Sequence, residues 1–172
     1  MTKGLRRSAS RPVNGGRNQI AIRQKFLITN ATISVADGAP GHGSAVAFRL
    51  PEGNVLIHGA IGYIILTTSD ADVTATFDGD ISIGTAATAD GSLSGSEVNL
   101  IPSTPLGAAT AKVSPRVRLA ASSSTTGVTH DNTAADVVFY LNLLIDDQAI
   151  SGAADFTANG YVEVMYTVLG DD

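Results

Sequence analysis

The sequence predicts an all-β protein with a single β-sandwich, and a jelly roll of about eight strands is preferred to an immunoglobulin-like sandwich. Apolar segments rich in Val and Ile recur at intervals of roughly 8–15 residues, a spacing typical of sandwiches and barrels. Turn-forming Gly, Pro, Asn and Asp residues separate these segments, and none has the 3.6-residue periodicity of a helix. Eight strands with long connections favour two Greek keys folded into facing sheets.

The predicted strands follow one another along the chain with turn formers between them. They cover residues 26–35, 45–50, 54–68, 72–84, 97–107, 117–122, 136–146 and 160–170. The first strand alternates, which predicts a buried face made of Ile28, Ala31, Ile33 and Val35. The last strand alternates in the same way, with a face made of Val162, Val164, Tyr166 and Val168. Residues 146–151 have room for a single helical turn.

Glycine and proline mark irregular points in this scheme. Gly59 and Gly62 predict a bulge or bend inside the third strand. Asp78-Gly79 predicts a two-residue hairpin turn, with a continuous bent strand as the alternative. Two prolines make residues 97–107 an edge strand or an extended connection. The predicted surface loops include residues 85–96 and 123–134.

Composition excludes several classes of protein. The 172 residues include no Cys, which excludes disulfides, thiolate metal sites and thiol nucleophiles. No segment reaches the ~20 apolar residues of a membrane span, and the basic N-terminus lacks the apolar segment of a secretory signal. Charged residues make up 16 % of the chain, against a typical ~25 %. We therefore expect copies of the chain or a partner to cover part of the surface.

Charge divides the chain into two parts. Residues 1–25 contain seven basic residues and no acidic one. These basic residues are Lys3, Arg6, Arg7, Arg11, Arg17, Arg23 and Lys25. Because the whole chain has 11 basic and 16 acidic residues, residues 26–172 keep four basic residues against all 16 acidic ones, a net charge of −12. We predict an extended basic N-terminal arm over residues 1–25 and a sandwich body over residues 26–172.

No serine or histidine pattern predicts catalysis. The segment GSLSG at residues 91–95 has Leu93 where a nucleophile elbow needs Ser. The three histidines do not have the spacing of a zinc site. We expect His58 to be a satisfied strand residue, and His42 and His130 to lie in solvated loops.

Carboxylate and aromatic residues also point to structural roles. Five aspartates lie within 21 residues but lack the spacing of a calcium-binding loop, so we expect them in turns at strand ends. They are Asp70, Asp72, Asp78, Asp80 and Asp90. The four tyrosines lie in apolar strands and are expected in the core or at an interface, namely Tyr63, Tyr140, Tyr161 and Tyr166. The sequence thus predicts a protein that is not an enzyme and has no catalytic residues, cofactor or metal.

Three hypotheses account for the basic arm. Its Ser, Asn and Gly content fits a solvated, disordered tail. Arg-rich arms also neutralise nucleic-acid phosphates, as in the jelly-roll coats of small RNA viruses, although this acidic body would repel the same polymer. The third hypothesis, which we prefer, is a protein partner, because the arm complements the acidic body of another copy or an acidic partner surface. An extended arm of this length reaches roughly 80–90 Å, and residues 18–30 alternate well enough to extend a neighbouring sheet.

Two stretches of the chain resemble structural proteins of tailed bacteriophages, of the capsid decoration or cement type. One is residues 53–110, which begin GNVLIHGAIGYIILTTSDADVTATFDGDISIG. The other is residues 141–172, which contain LLIDD and end in VLGDD. The resemblance implies a non-enzymatic, β-rich protein that sits on a phage head and reinforces contacts between major capsid protein subunits. It assigns no functional residues to positions of this chain.

The sequence therefore predicts a virion protein, a cement or decoration protein on the surface of a phage capsid, synthesised in the host cytoplasm. The expected partners are the major capsid protein and neighbouring copies of the chain, in a trimeric or dimeric homo-oligomer. Neither nucleic acid nor a membrane is an expected partner. Two alternatives stay open: a self-assembling jelly-roll coat whose arm binds the genome, and a glycan-binding tail or fibre module.

Overall fold

In a computed structural model that describes residues 21–134, 136–146 and 149–170, nine strands form two antiparallel sheets. The strands are β1 (Ile22–Val35), β2 (Gly41–Arg49), β3 (Gly53–Thr67), β4 (Gly79–Gly84), β5 (Ile101–Pro105), β6 (Val117–Ala120), β7 (Val128–Asn132), β8 (Val138–Ile145) and β9 (Ala154–Gly170). Sheet A has the order β1-β9-β3-β6, with β7 also paired to β3, and sheet B has the order β2-β8-β4-β5. A short 3-10 helix spans Gly95–Glu97. The predicted all-β sandwich is confirmed.

The strands pair as a series of nested hairpins. β4 pairs with β5 near the middle of the chain, β3 pairs with β6 and β7, β2 pairs with β8, and β1 pairs with β9. Outside the β4–β5 and β6–β7 connections, successive strands alternate between the two sheets. A chain that doubles back on itself and rolls into facing sheets is a jelly roll, which confirms the preferred topology.

Alternating apolar residues of both sheets form one core. Ile28, Ile33 and Val35 of β1 are buried as predicted, and Ala31 packs partly against them. A bulge between Ile28 and Ala31 explains the three-residue step in this pattern, because one extra residue returns the strand to its original face. Val162, Val164 and Tyr166 are the matching buried residues of β9.

The segment before β4 differs from its prediction. Residues 72–78 form no regular strand, so Asp78-Gly79 is neither a hairpin turn nor part of a bent strand. Val73 and Phe77 are still buried, and Val73 makes an isolated bridge to Ile150. The apolar residues that alternate in this segment are therefore buried side chains of a loop, not of a strand. The helical turn predicted for residues 146–151 lies partly outside the described residues.

Strand β7 lies inside the predicted polar loop 123–134, which corrects that prediction. It pairs with β3 at the edge of sheet A, and its inward residues are His130 and Asn132. Because these inward side chains are polar, the strand lacks the apolar alternation by which sequence analysis finds strands. Two further predictions are confirmed: β5 is an edge strand, and the register shift between Ile57 and Gly59 is a bulge in β3. Strands β1, β2 and β9 begin earlier than predicted, at Ile22, Gly41 and Ala154.

Candidate interaction surface

The outer faces of the two sheets differ in how much of each is covered by a loop. Residues 85–97 lie over sheet B and are hydrogen-bonded to its outward side chains. Ser82 Oγ donates to the Glu97 carbonyl at 2.8 Å, and Ser82 is fully buried. Residues 85–97 therefore cover part of the outer face of sheet B, while Val46 of β2 stays 51 % exposed.

Asn142 is the main anchor of that cover. Its amide nitrogen donates to the carbonyls of Ala86 (3.0 Å) and Glu97 (2.9 Å). Its amide oxygen accepts from the backbone N–H of Thr88 (3.0 Å) and from Ser44 Oγ (2.7 Å). Asn142 is fully buried, so four hydrogen bonds compensate the removal of its amide from water.

The outer face of sheet A carries large side chains that remain exposed. Leu27 is 70 % exposed, Ile61 53 % and Met165 44 %. The strand register places Leu27 opposite Tyr161 and Met165 opposite Arg23, so these side chains share one face. We call this surface the cation–aromatic face; it consists of Arg23, Lys25, Leu27, Ile61, Tyr63, Arg116, Arg118, Tyr161, Glu163 and Met165.

Two cations flank a pair of tyrosines on this face, in the order Lys25, Tyr161, Tyr63, Arg116. Lys25 Nζ lies 3.8 Å from the centroid of the Tyr161 ring, and Arg116 Cζ lies 3.6 Å from that of Tyr63. The two tyrosine rings meet edge to face, with centroids 4.9 Å apart. Each ring thus has one side occupied by a cation, an arrangement worth about 0.5–1 kcal/mol at an exposed site. The rings are consequently poor stacking platforms for a sugar.

Two shallow grooves flank Ile61 on this face. The larger, of about 540 Å³, is lined by Arg23, His58, Gly59, Ala60, Ile61, Ala121, Thr126, Glu163 and Met165. The other, of about 360 Å³, is lined by Ile61, Gly62, Tyr63, Arg116, Arg118, Leu119, Ala120 and Tyr161. A protein surface with apolar floors and charged rims of this kind fits another protein better than a small molecule.

The face concentrates positive charge. Residues 21–134, 136–146 and 149–170 contain six basic residues, and four of them lie on this face: Arg23, Lys25, Arg116 and Arg118. Arg23 is paired with Glu163, whose hydrogen bond and charge raise the pKa of the guanidinium. Within the same ranges, Lys25, Arg116 and Arg118 form no ion pair. Three cations are thus left without a carboxylate.

Three carboxylates lie together at one end of sheet B. Asp78 and Asp80 flank the start of β4 and Asp146 follows the end of β8. Partial desolvation, together with the charges of Asp78 and Asp80, raises the pKa of Asp146 above its usual range. These carboxylates therefore crowd one another. Among the described residues no group of His, Asp or Glu side chains is arranged to hold a metal ion.

The predicted arm residues fall into two groups. Arg23 and Lys25 belong to β1, which begins at Ile22, and both lie on the cation–aromatic face. Lys3, Arg6, Arg7, Arg11 and Arg17 lie outside the described residues. The sandwich thus begins before residue 26.

The histidines correct two sequence-based expectations. His58 Nε2 lies 2.8 Å from Thr167 Oγ1, as expected of a satisfied strand residue. His130, expected in a solvated loop, is buried in β7 and meets the Phe139 ring edge-on at 5.2 Å. His42, also expected in a loop, lies in β2, and its Nδ1 atom is buried without a hydrogen bond.

The sequence analysis missed most of the cation–aromatic face. Ile61, Tyr63, Arg116 and Arg118 come from strands far apart in the chain, and only the sheet register unites them. One usable signal existed in β9, where Tyr161, Glu163 and Met165 alternate with the buried valines. Large apolar residues at outward positions of a strand indicate a covered face.

The solved structures that are similar to this chain include two from infectious bursal disease virus and one from a bacteriophage. A chain in the structure of infectious bursal disease virus Gx strain matches 84 % of this chain and 33 % of its own, with a TM-score of 0.42 and 13 % identity. A chain of the Gt strain of that virus matches 83 % of this chain and 32 % of its own, with a TM-score of 0.40 and 11 % identity. The acidic stable capsid structure of Helicobacter pylori bacteriophage KHP30 matches 87 % of this chain and 95 % of its own, with a TM-score of 0.25 and 12 % identity. This chain therefore spans about one third of the length of the two chains from infectious bursal disease virus.

No protein family and no curated protein sequence matches the chain. Within the described residues, no helix is long and apolar enough to cross a membrane.

Proposed function

We propose that this protein is a virion structural protein of the cement or decoration type, which binds the shell of a phage capsid and reinforces contacts between its subunits. One observation carries the proposal: sheet A exposes a cation–aromatic face with three cations that form no ion pair among the described residues and three exposed apolar side chains, while residues 85–97 cover part of sheet B. A face of this composition is stable in water but gains free energy when a complementary protein covers it.

The basic N-terminal residues extend this surface in sequence. Lys3, Arg6, Arg7, Arg11 and Arg17 precede β1, which itself contributes Arg23 and Lys25 to the face. We propose that residues 1–20 bind acidic surfaces of neighbouring major capsid protein or cement subunits. Binding by both the arm and the face makes the second contact effectively intramolecular, so the two together hold more tightly than either alone.

The experiment is co-sedimentation of the full-length protein with phage heads that lack it. Two variants test the two surfaces: deletion of residues 1–20, which stops short of β1, and the triple variant K25E/R116E/R118E on the face. The matched control is R49E, which reverses an exposed cation of β2 whose only described ion pair is with Asp136 at 3.1 Å. We expect both test variants to lose head binding by at least tenfold and R49E to bind as the wild type does. Wild-type head occupancy by both test variants would contradict the proposal.

A self-assembling coat with a genome-binding arm is the second candidate, and the jelly-roll topology favours it, because viral coats use this fold widely. Light scattering together with the ratio of absorbance at 260 and 280 nm separates the two. Four tyrosines and no tryptophan make absorbance at 280 nm weak, so bound nucleic acid is easily seen. Large particles with a persistent excess at 260 nm would favour the coat, and a nucleic-acid-free small oligomer would favour the cement protein.

A further inference from the structure

We propose that the cation–aromatic face is covered by the acidic end of a second copy of this chain, formed by Asp78, Asp80 and Asp146. This inference rests on the proposed use of the face as a protein-binding surface and names its partner. The contact is head to face: each copy offers its acidic end to one neighbour and its cation–aromatic face to another.

The face restricts what can cover it. Lys25 and Arg116 are held over the tyrosine rings, which fixes the positions of two charges before any partner arrives. Covering Ile61 and Met165 removes apolar surface from water, but it also partly desolvates these cations. A partner must therefore bring carboxylates to the rim, since an unpaired charge at a buried contact opposes binding.

The chain itself supplies such carboxylates. Gly79 of β4 pairs with Ile145 of β8, and the Asp146 N–H donates to the Asp78 carbonyl at 3.2 Å, so Asp78, Asp80 and Asp146 lie together at one end of sheet B. No described cation forms an ion pair with any of the three. The same molecule therefore carries three unpaired cations on one face and three crowded carboxylates at one end. Contact between the acidic end of one copy and the face of another would pair the cations with carboxylates and reduce the repulsion among the carboxylates.

Charge also excludes the simplest symmetric alternative. A two-fold contact between two cation–aromatic faces would bring Lys25, Arg116 and Arg118 of both copies into one interface, where Glu163 is the one acidic residue of the face and is already paired with Arg23. Because like charges in contact oppose association, the two copies must use different surfaces. A contact between different surfaces generates a closed ring or an open chain of subunits. Contacts between an acidic end and a cation–aromatic face therefore favour a ring or an open chain of subunits over a two-fold dimer.

The test uses two variants that remove opposite halves of the contact without reversing charge. The face variant is K25Q/R116Q/R118Q, and the end variant is D78N/D80N/D146N. Sedimentation velocity at low salt should show the wild type as an oligomer larger than a dimer and each variant, alone, associating at least tenfold more weakly. Raising the salt concentration to 1 M should dissociate the wild-type oligomer, because the Debye length is then about 3 Å and the attraction between the cations and the carboxylates is screened.

Mixing the two variants gives the sharpest result. The end variant retains an intact face and the face variant retains an intact acidic end, so a mixture should form a 1:1 heterodimer that cannot grow further. A misfolded variant would not recover in the mixture, which makes the mixture its own folding control. A wild type that stays monomeric at high concentration, or whose oligomer survives both variants, would overturn the inference.

Head binding by the same variants separates this inference from the proposed function. If the oligomer is unaffected but the face variant fails to bind heads, the face contacts the capsid and the second-copy inference falls while the proposed function stands. If the face variant alters neither self-association nor head binding, the inference falls and so does the role of the face in the proposed function. Loss of self-association in both variants, with recovery in the mixture, supports the inference regardless of how the variants bind to heads.

Discussion

The Phe26 ring lies nearly parallel to the Phe48 ring, with centroids 4.4 Å apart, and so joins an edge strand of sheet A to an edge strand of sheet B. Phe48 stacks in turn on Phe139 at 4.8 Å. We expect Phe26→Ala to lower the free energy of unfolding by about 2–3 kcal/mol, because a partly buried ring and its stacking contact are lost. Chemical denaturation followed by circular dichroism measures the change.

The neighbouring residue provides the matched control for this substitution. Leu27 points to the opposite side of β1 and is 70 % exposed. Leu27→Ala should change the free energy of unfolding by less than about 0.5 kcal/mol. Equal losses for the two variants would show that the stack does not secure β1.

The cover of sheet B should depend on Asn142. Asn142→Ala leaves the Ala86 carbonyl without its described partner, while the Glu97 carbonyl keeps Ser82 Oγ and the Thr88 N–H keeps Ser44 Oγ. We expect a loss of about 2 kcal/mol. Hydrogen exchange should accelerate across residues 85–97 more than in the strands. Ser44→Ala removes one hydroxyl that bonds Asn142 and Thr88, so its loss should be about 1 kcal/mol. A uniform rise in exchange in all strands would mean that Asn142 supports the whole core and not the cover.

Substitution by alanine should have a large effect on stability at one glycine of β3 and almost none at another. A Cβ at Gly62 would overlap the carbonyl oxygen of Tyr161 on the adjacent strand, whereas a Cβ at Gly59 meets no atom within 4 Å. Gly62→Ala should therefore destabilise the protein by about 3 kcal/mol, and Gly59→Ala should change stability by less than about 0.5 kcal/mol. Near-ultraviolet circular dichroism includes the signal of the Tyr63–Tyr161 pair, which is two of the four tyrosines in a chain without Trp. An unchanged tyrosine signal in Gly62→Ala would refute the proposed close approach.

Stability should fall at mildly acidic pH because of His130. Burial lowers the pKa of its imidazole below the ordinary value of 6.5, so the folded protein disfavours the charged ring. As the pH falls below about 6.5, the unfolded chain binds a proton before the folded protein does, and the free energy of unfolding decreases until the folded pKa is passed. Above that window His130 is neutral in both states and contributes no pH dependence.

His130→Phe keeps a ring beside Phe139 and removes the titration. The melting temperature of this variant should fall less between pH 7.5 and pH 5 than that of the wild type. His58→Gln serves as the control, because it removes a histidine that lies outside the core and bonds Thr167. A wild-type pH dependence that persists in His130→Phe would assign the effect to other groups.

Sequence analysis was most successful where one face of a strand is buried. Ile33 and Val162 alternate with polar or exposed neighbours, and both are fully buried. It failed at β7, whose inward residues are His130 and Asn132, because hydrogen bonding and edge pairing replace apolar burial there. For the candidate surface, charge identified Arg23 and Lys25, but Tyr63 and Arg116 join them only through pairing between distant strands. The alternation of a strand decides which face of the sheet each side chain lies on, but it does not show which distant strand lies beside it.

The nested pairing of the strands has a consequence for the order of folding. The β4–β5 pair closes over a short stretch of chain, whereas β1 meets β9 from almost the opposite end of the described residues. Because distant contacts must overcome the loop-closure entropy first, we expect pairing to spread outward from the central hairpin and β1 to dock late. Until it docks, one edge of β9 stays open, and the corresponding strand of a neighbouring chain can occupy it. Refolding at high protein concentration should therefore favour exchanged strands over single closed sandwiches.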